Sequence, residues 1–91
     1  MTRRTGRVFD ASGQPVAGAV VAVASGTAPT PEIGIRTGSN GQFMVALPPG
    51  TFQLEARTST GAVGRVEVSG GPGEEGEEIV IRLNETGQHP G

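Results

Sequence analysis

The chain has 91 residues, which is enough for one domain and too few for a multidomain enzyme. It contains no Cys and no Lys, which excludes disulfides, thiolate nucleophiles, zinc–cysteine sites, Schiff bases and lysine cross-links. Its formal net charge of −2 argues against nucleic acid as a partner. No apolar stretch approaches the roughly 20 residues that span a membrane, so we expect no membrane insertion.

The first four residues include two arginines, but no apolar segment follows them, so they do not form a signal peptide. We therefore expect a cytoplasmic protein if the chain is complete, and an extracellular or periplasmic one if it was cut from a larger protein. The expected organisation is a basic N-terminal arm over residues 1–5, a folded domain over 6–83 and a flexible C-terminal tail over 84–91.

Strands are expected from the start of the domain, because Gly or Pro interrupts nearly every ten-residue stretch and no window has helical periodicity. The first strand should run over residues 5–10 and end in a turn that Asp10 caps and Gly13 completes with a positive φ. The second strand, over residues 19–25, is apolar on both faces, which predicts a central or doubly covered position.

The middle of the chain predicts three more strands. A third strand over residues 32–37 follows a loop with two prolines and leads into Asn40-Gly41, a strong hairpin signal, before a fourth over 42–47. The turn at 48–50 then leads to a fifth strand in which Phe52, Leu54 and Ala56 alternate inward with polar residues, a pattern typical of a half-buried strand.

A sixth strand over residues 62–68 and a last strand over 79–83 flank a segment rich in Gly and Glu, and residues 84–91 form the tail. Seven short strands with frequent turns predict an all-β fold, a seven-stranded antiparallel Greek-key β-sandwich of the prealbumin or immunoglobulin type. The expected core residues are Val8, Val21, Val23, Phe43, Val45, Leu47, Phe52, Leu54, Val66, Ile79 and Ile81.

Three patterned segments follow one another along the chain: Gly6-x-Val8-x-Asp10-x-x-Gly13-x-Pro15-Val16-x-Gly18-Ala19-x-Val21, Thr37-x-x-Asn40-Gly41-x-Phe43 and Leu47-Pro48-Pro49-Gly50-x-Phe52-x-Leu54. Together they resemble carboxypeptidase regulatory-like domains, which are small β-sandwiches of the transthyretin type. The resemblance spans roughly residues 6–83 and implies an accessory module, not a particular activity. Arg4 stands where this family often has an apolar residue, which predicts a shortened first strand.

No group of residues suits catalysis, a metal or a cofactor. The only His, His89, lies on the expected tail, whereas a Ser–His–Asp triad needs a positioned His. The segment from Asp10 to Gly13 has too few following oxygen ligands for a calcium loop, so a capped turn is the favoured interpretation. We predict no catalytic residue, no metal site and no cofactor.

Two charged groups are candidates for docking. The glutamates before the last strand form either a solvated loop, which is favoured, or an acidic patch for a basic partner. The arginines near the N-terminus could complement that patch within one molecule or between neighbours. The possible docking residues are Arg3, Arg4, Arg7, Glu74, Glu75, Glu77 and Glu78.

The third strand is a candidate edge for contact. Its centre, Ile33, Gly34 and Ile35, carries no charge that would repel another chain, so it could pair with itself or accept a strand from a partner. The alternative is that the loop with the two prolines covers this edge and that the protein is monomeric.

We therefore expect a non-enzymatic module that binds another protein or itself, or that acts as a scaffold. The alternative is a module that binds a glycan or a peptide within a larger protein or complex. Sugar sites usually contain exposed aromatic rings, and Phe9 is the one Phe that could face outward, although packing against the sheet is its favoured role.

Overall fold

The computed structural model describes residues 2–27, 34–70 and 78–84. Within these ranges the chain forms seven strands and no helix. The strands are β1 (Thr2–Phe9), β2 (Val20–Gly26), β3 (Ile35–Arg36), β4 (Gln42–Leu47), β5 (Gly50–Arg57), β6 (Val63–Gly70) and β7 (Ile79–Arg82).

The strands form two sheets, in the orders β4-β1-β7 and β3-β2-β5-β6, which confirms the seven-stranded sandwich. The expectation of a wholly antiparallel fold is wrong for one pair, because β1 and β7 are parallel, with Gly6 opposite Ile79 and Phe9 opposite Arg82. The chain reaches β7 from β6 in the opposite sheet, so no tight hairpin forces β7 to run against its neighbour.

The core lies between the sheets and contains most of the expected residues. Val23, Val45 and Val66 are only half-buried, although they pack against the core. Five further residues that the expected list omitted are also buried: Ala19, Ala56, Ala62, Val68 and Leu83. The buried hydrophobic residues of the core are Val8, Ala19, Val21, Phe43, Leu47, Phe52, Leu54, Ala56, Ala62, Val68, Ile79, Ile81 and Leu83.

β1 begins earlier than expected, at Thr2, so neither the shortened strand nor the basic arm forms over residues 2–5. Alternation along β1 turns Arg4 inward together with Gly6 and Val8, and Arg4 is 4% exposed. Its guanidinium Nη1 donates a hydrogen bond to the backbone carbonyl of Ser69, which compensates part of the cost of burying a charged group. Arg4 is therefore a structural residue and is unavailable for docking.

The Asn-Gly turn forms, but it does not join a hairpin. The Gly41 N–H donates to the Gly38 carbonyl at 2.9 Å, and Gly41 has a φ of +74°, which favours glycine. β3 pairs with β2 in one sheet and β4 pairs with β1 in the other, so the turn carries the chain between sheets. The cause is Thr37, whose N–H donates to the Ala19 carbonyl at 2.9 Å and holds the chain beside β2 until the turn begins.

Thr37 is buried, and its hydroxyl serves two backbone groups. The hydroxyl donates to the Val16 carbonyl at 2.7 Å and accepts from the Ala19 N–H at 2.9 Å. Replacement by Val keeps the shape but leaves both groups without this partner, so Thr37→Val should lower the free energy of unfolding by about 1–3 kcal/mol in a urea titration. Thr37→Ser retains the hydroxyl and should lose less; equal losses in the two variants would contradict this role.

Candidate interaction surfaces

One side of the sandwich, between β6 and β7, is closed by hydrogen bonds. The Asn84 N–H donates to the Val63 carbonyl at 2.9 Å, and the Val63 N–H donates to Asn84 Oδ1 at 3.0 Å. The buried guanidinium of Arg4 bonds to Ser69 near the other end of β6. We call this the closed side; its bonds occupy both ends of β6.

The opposite side, where β3 and β4 are the edge strands, is more open. A shallow groove of about 590 Å³ lies here, and Arg7, Ile35, Arg36, Gln42 and Met44 are among its lining residues. We call this the open side. The groove combines apolar side chains with two guanidinium groups and the carboxylate of Glu78, so its lining can contact both the apolar and the charged side chains of a polypeptide.

The predicted contact edge falls partly on the open side. β3 is an edge strand of the four-stranded sheet, but it consists of Ile35 and Arg36 alone. Gly34 is exposed, Ile35 is half-buried against the core, and Ile33 lies outside the described residues. A two-residue strand with one arginine offers little edge for pairing, since short and charged edges resist addition of another strand.

The predicted charged docking residues are only partly brought together. Arg7 Nε lies 3.4 Å from Glu78 Oε2, and the two side chains are 46% and 50% exposed, so the pair contributes little to stability. Arg3 is exposed on the same face of β1. The glutamates at 74, 75 and 77 lie outside the described residues.

Sequence reasoning missed an ionic cluster on the outer face of the four-stranded sheet. The Glu55 carboxylate accepts hydrogen bonds from Arg65 Nε at 3.0 Å and from Arg57 Nε at 3.1 Å. The signal was present: Glu55 and Arg57 are two apart on β5, and Glu55 lies directly opposite Arg65 in the register of β5 and β6. Both oxygens of the Glu55 carboxylate are occupied, one by each arginine, so this carboxylate is a structural group of the sheet surface.

The hydrogen bond from Arg65 lowers the pKa of Glu55 below its ordinary value of 4.5; desolvation opposes this shift, and the hydrogen bond and charge of Arg57 add to it. A lowered folded-state pKa stabilises the fold above the unfolded-state pKa, and that contribution is lost as the pH falls through the folded-state pKa. Arg65→Gln should therefore raise the pKa of Glu55 toward 4.5 in an NMR titration. Arg36→Gln, which removes a charge on the same sheet without a bond to Glu55, is the control; an equal rise there would contradict the assignment.

The turn after β1 has a structural role. Asp10 Oδ1 accepts hydrogen bonds from the backbone N–H groups of Ser12 and Gln14, each at 2.9 Å, and Gly13 has a φ of +87°. This confirms the capped turn. Across residues 2–27, 34–70 and 78–84, no three His, Cys, Asp or Glu side chains gather where they could hold a metal ion. His89 lies outside these ranges.

The aromatic residues of the chain do not form an exposed platform. The chain has three Phe and no Tyr or Trp. Phe43 and Phe52 are buried in the shared core, as expected, and Phe9 is half-buried beside Arg82 of β7. The stacking surface that sugar sites usually contain is therefore missing.

The model of the carboxypeptidase regulatory-like domain family matches residues 5–84. The chain belongs to this family. The regulatory-like domains are generally non-catalytic β-sandwich modules. In this regulatory-like domain the family's motif residues are structural: Thr37 bonds to the segment that leads into β2, and Gly41 forms the turn between sheets.

A search of curated proteins found no match to the chain. The described part of this regulatory-like domain contains no helix with the length and hydropathy needed to cross a membrane.

Proposed function

We propose that this regulatory-like domain is a non-enzymatic module that acts by binding another protein through the open side of its sandwich. The main support for this proposal is the difference between the closed side and the open side of the sandwich. Arg4 and Asn84 bond to backbone groups of the closed-side edge, whereas within the described residues no strand pairs with the outer edges of β3 and β4, which lie beside a groove lined by apolar side chains, two arginines and Glu78.

The described polar groups support a binding role instead of catalysis. Asp10, Thr37 and Glu55 are all engaged in bonds that hold turns or strands together. Glycan binding is the weaker alternative, because an aromatic platform is missing from a chain whose three Phe are all buried or half-buried. Peptide binding is the same physical event as protein binding at an edge strand.

The test compares matched variants of the two sides. The immobilised full chain should capture a protein partner from an extract of the cells in which this chain is naturally expressed. Ile35→Lys on the open side should abolish that capture. Val63→Lys is the control, because Val63 is also a half-buried strand residue but lies on the closed side. Circular dichroism should show that both variants remain folded. Equal capture by both variants would contradict an open-side contact, and failure of the wild-type chain to capture any partner would contradict the function.

A further inference from the structure

The four edge strands of the two sheets differ in length and charge. β3 has two residues, one of them Arg36, and β7 has four residues that end in Arg82. β6 carries both Arg65 and Glu67, and the closed-side bonds occupy its ends. β4 is different, because its sequence Gln-Phe-Met-Val-Ala-Leu has six residues without a charge, a proline or a glycine. Natural edges are usually protected by one of those devices.

The register shows which backbone groups of β4 point away from its partner. The Val8 N–H donates to the Gly41 carbonyl at 2.8 Å, in line with the β1–β4 register. Hydrogen-bonded and non-hydrogen-bonded pairs alternate along an antiparallel ladder. Every second residue after Gly41 therefore also directs its backbone N–H and C=O groups toward β1. The residues that direct their N–H and C=O groups outward are therefore Gln42, Met44 and Ala46.

Most outward backbone groups of β4 have no partner in the part of the chain that the structure describes. The Gly38 N–H donates to the Gln42 carbonyl at 2.9 Å, which occupies the first outward acceptor. Within residues 2–27, 34–70 and 78–84, no bond reaches the outward N–H and C=O groups of Met44 and Ala46. These groups form a row to which an extended chain can add by backbone hydrogen bonds.

We propose that the β4 edge binds an extended segment of a partner protein in which apolar residues alternate with acidic ones. This inference rests on the proposed function and names the strand and the partner chemistry. An added strand places alternate side chains on the two faces of the sheet. Those on the inner face would pack beside Val45 and Ile35, which are half-buried at the open side of the core.

The outer face gives the reason for acidic residues at the other positions. Met44 is 51% exposed there, and β1 places Arg3 opposite Ala46 and Arg7 opposite Gln42. The added strand would lie about 10 Å from β1, two strand spacings away, which long arginine and glutamate side chains can span. Ala46 is small, so the guanidinium of Arg3 can extend over it toward the added strand.

Charge also favours an acidic partner over a second copy of this chain. Arg3 and Arg7 are both exposed on the outer face of β1, the strand that pairs with β4. Glu78 offsets part of the charge of Arg7, and within the described residues no ion pair involves Arg3. Pairing two β4 edges would bring two sets of outer-face arginines toward one another, whereas an acidic strand would neutralise one set.

The probe is the peptide acetyl-Glu-Val-Glu-Val-Glu-Val-Glu-amide, titrated into the full chain by calorimetry, with the same peptide carrying Lys in place of Glu as its counterpart. We expect the acidic peptide to bind, with an affinity that falls as salt is raised, and the basic peptide to bind at least about tenfold more weakly. Arg3→Gln should lower the affinity for the acidic peptide, because it removes a positive charge from the outer face.

Backbone pairing is tested by Met44→Pro, which removes an outward N–H that β1 does not use and should therefore leave the fold intact. Met44→Pro should lower the affinity for the acidic peptide by at least about tenfold, whereas Met44→Ala, which keeps the N–H, should lower that affinity much less. Ala46→Pro repeats the test if Met44→Pro fails to fold, as judged by circular dichroism.

Several results would overturn the inference. These are no binding of the acidic peptide at about 1 mM, equal binding of the basic peptide, or full binding by both proline variants. A concentration-dependent dimer in light scattering that Met44→Pro abolishes would assign the edge to a second copy and overturn the acidic partner. A cellular partner whose capture is insensitive to Met44→Pro would overturn the β4 site and leave the proposed function standing.

Discussion

Leu54→Ala should lower the free energy of unfolding by about 2–5 kcal/mol, because it removes a fully buried side chain from the centre of the core. Leu54 lies on β5, whose neighbours β2 and β6 place Val23 and Val66 directly opposite it, so the cavity would open between three strands. In a domain of this size such a loss is a large part of the total stability.

A urea titration measures the loss in the Leu54 variant. Gln53→Ala is the matched control, because Gln53 is the preceding residue on the same strand and faces solvent. It should change the free energy of unfolding by no more than about 0.5 kcal/mol. A similar small change in Leu54→Ala would mean that β5 presents its other face to the core.

Gly6→Ala should also destabilise the fold strongly, because a methyl group at this position has no room. Gly6 lies in the central strand of the three-stranded sheet, and a Cβ there would come 2.6 Å from the Ile79 carbonyl oxygen and would overlap the ring of Phe43. Backbone oxygen atoms on a neighbouring strand cannot shift cheaply, so overpacking should cost at least about 1–3 kcal/mol.

Gly38→Ala is the control for the Gly6 variant, because its Cβ would meet the nearest atom, Gln42 Cγ, at an ordinary 3.7 Å. Thermal unfolding should show a clear decrease in melting temperature for Gly6→Ala and a small change for Gly38→Ala. If the two variants melt together, β1 does not approach β7 as closely as the parallel pairing requires.

The sequence was a good guide to strands wherever one face is polar and the other apolar. The alternation of Phe52, Leu54 and Ala56 with polar neighbours predicted the inward face of β5, and all three are buried. It also predicted the position of β4 to the residue. Alternation records the environment of each side chain, so it identifies faces directly.

Pairing was less predictable, because short-range signals do not say which sheet a strand will join. Asn40-Gly41 makes a turn in either case, whereas the bonds of Thr37 to Ala19, the residue just before β2, keep the chain beside β2 until that turn. Arg4 illustrates the same limit. Its charge indicated the surface, whereas its register with Gly6 and Val8 indicated the interior, and a carbonyl on β6 decided the outcome.

For the candidate surface, the sequence pointed to a segment on the open side but not to β4, the strand that forms the proposed binding edge. Composition directed attention to the segment around Ile35, where no charge is visible in the centre of the predicted strand. The structure shortens that strand to two residues, because its pairing with β2 covers only Val20 and Val21. The uncharged β4 edge could not be recognised without knowing that β4 lies at the end of a sheet.

The parallel pairing of β1 with β7 determines how the domain would bear tension. A force that pulls Thr2 and Arg82 apart draws the two strands in opposite directions along their own axes, since both run the same way. The bonds between Gly6–Phe9 and Ile79–Arg82 are then loaded in shear and must fail together, whereas an antiparallel pair pulled from one end would unzip bond by bond. Forced unfolding is governed by the unfolding rate, so a domain joined to neighbours at both ends would hold its length under load.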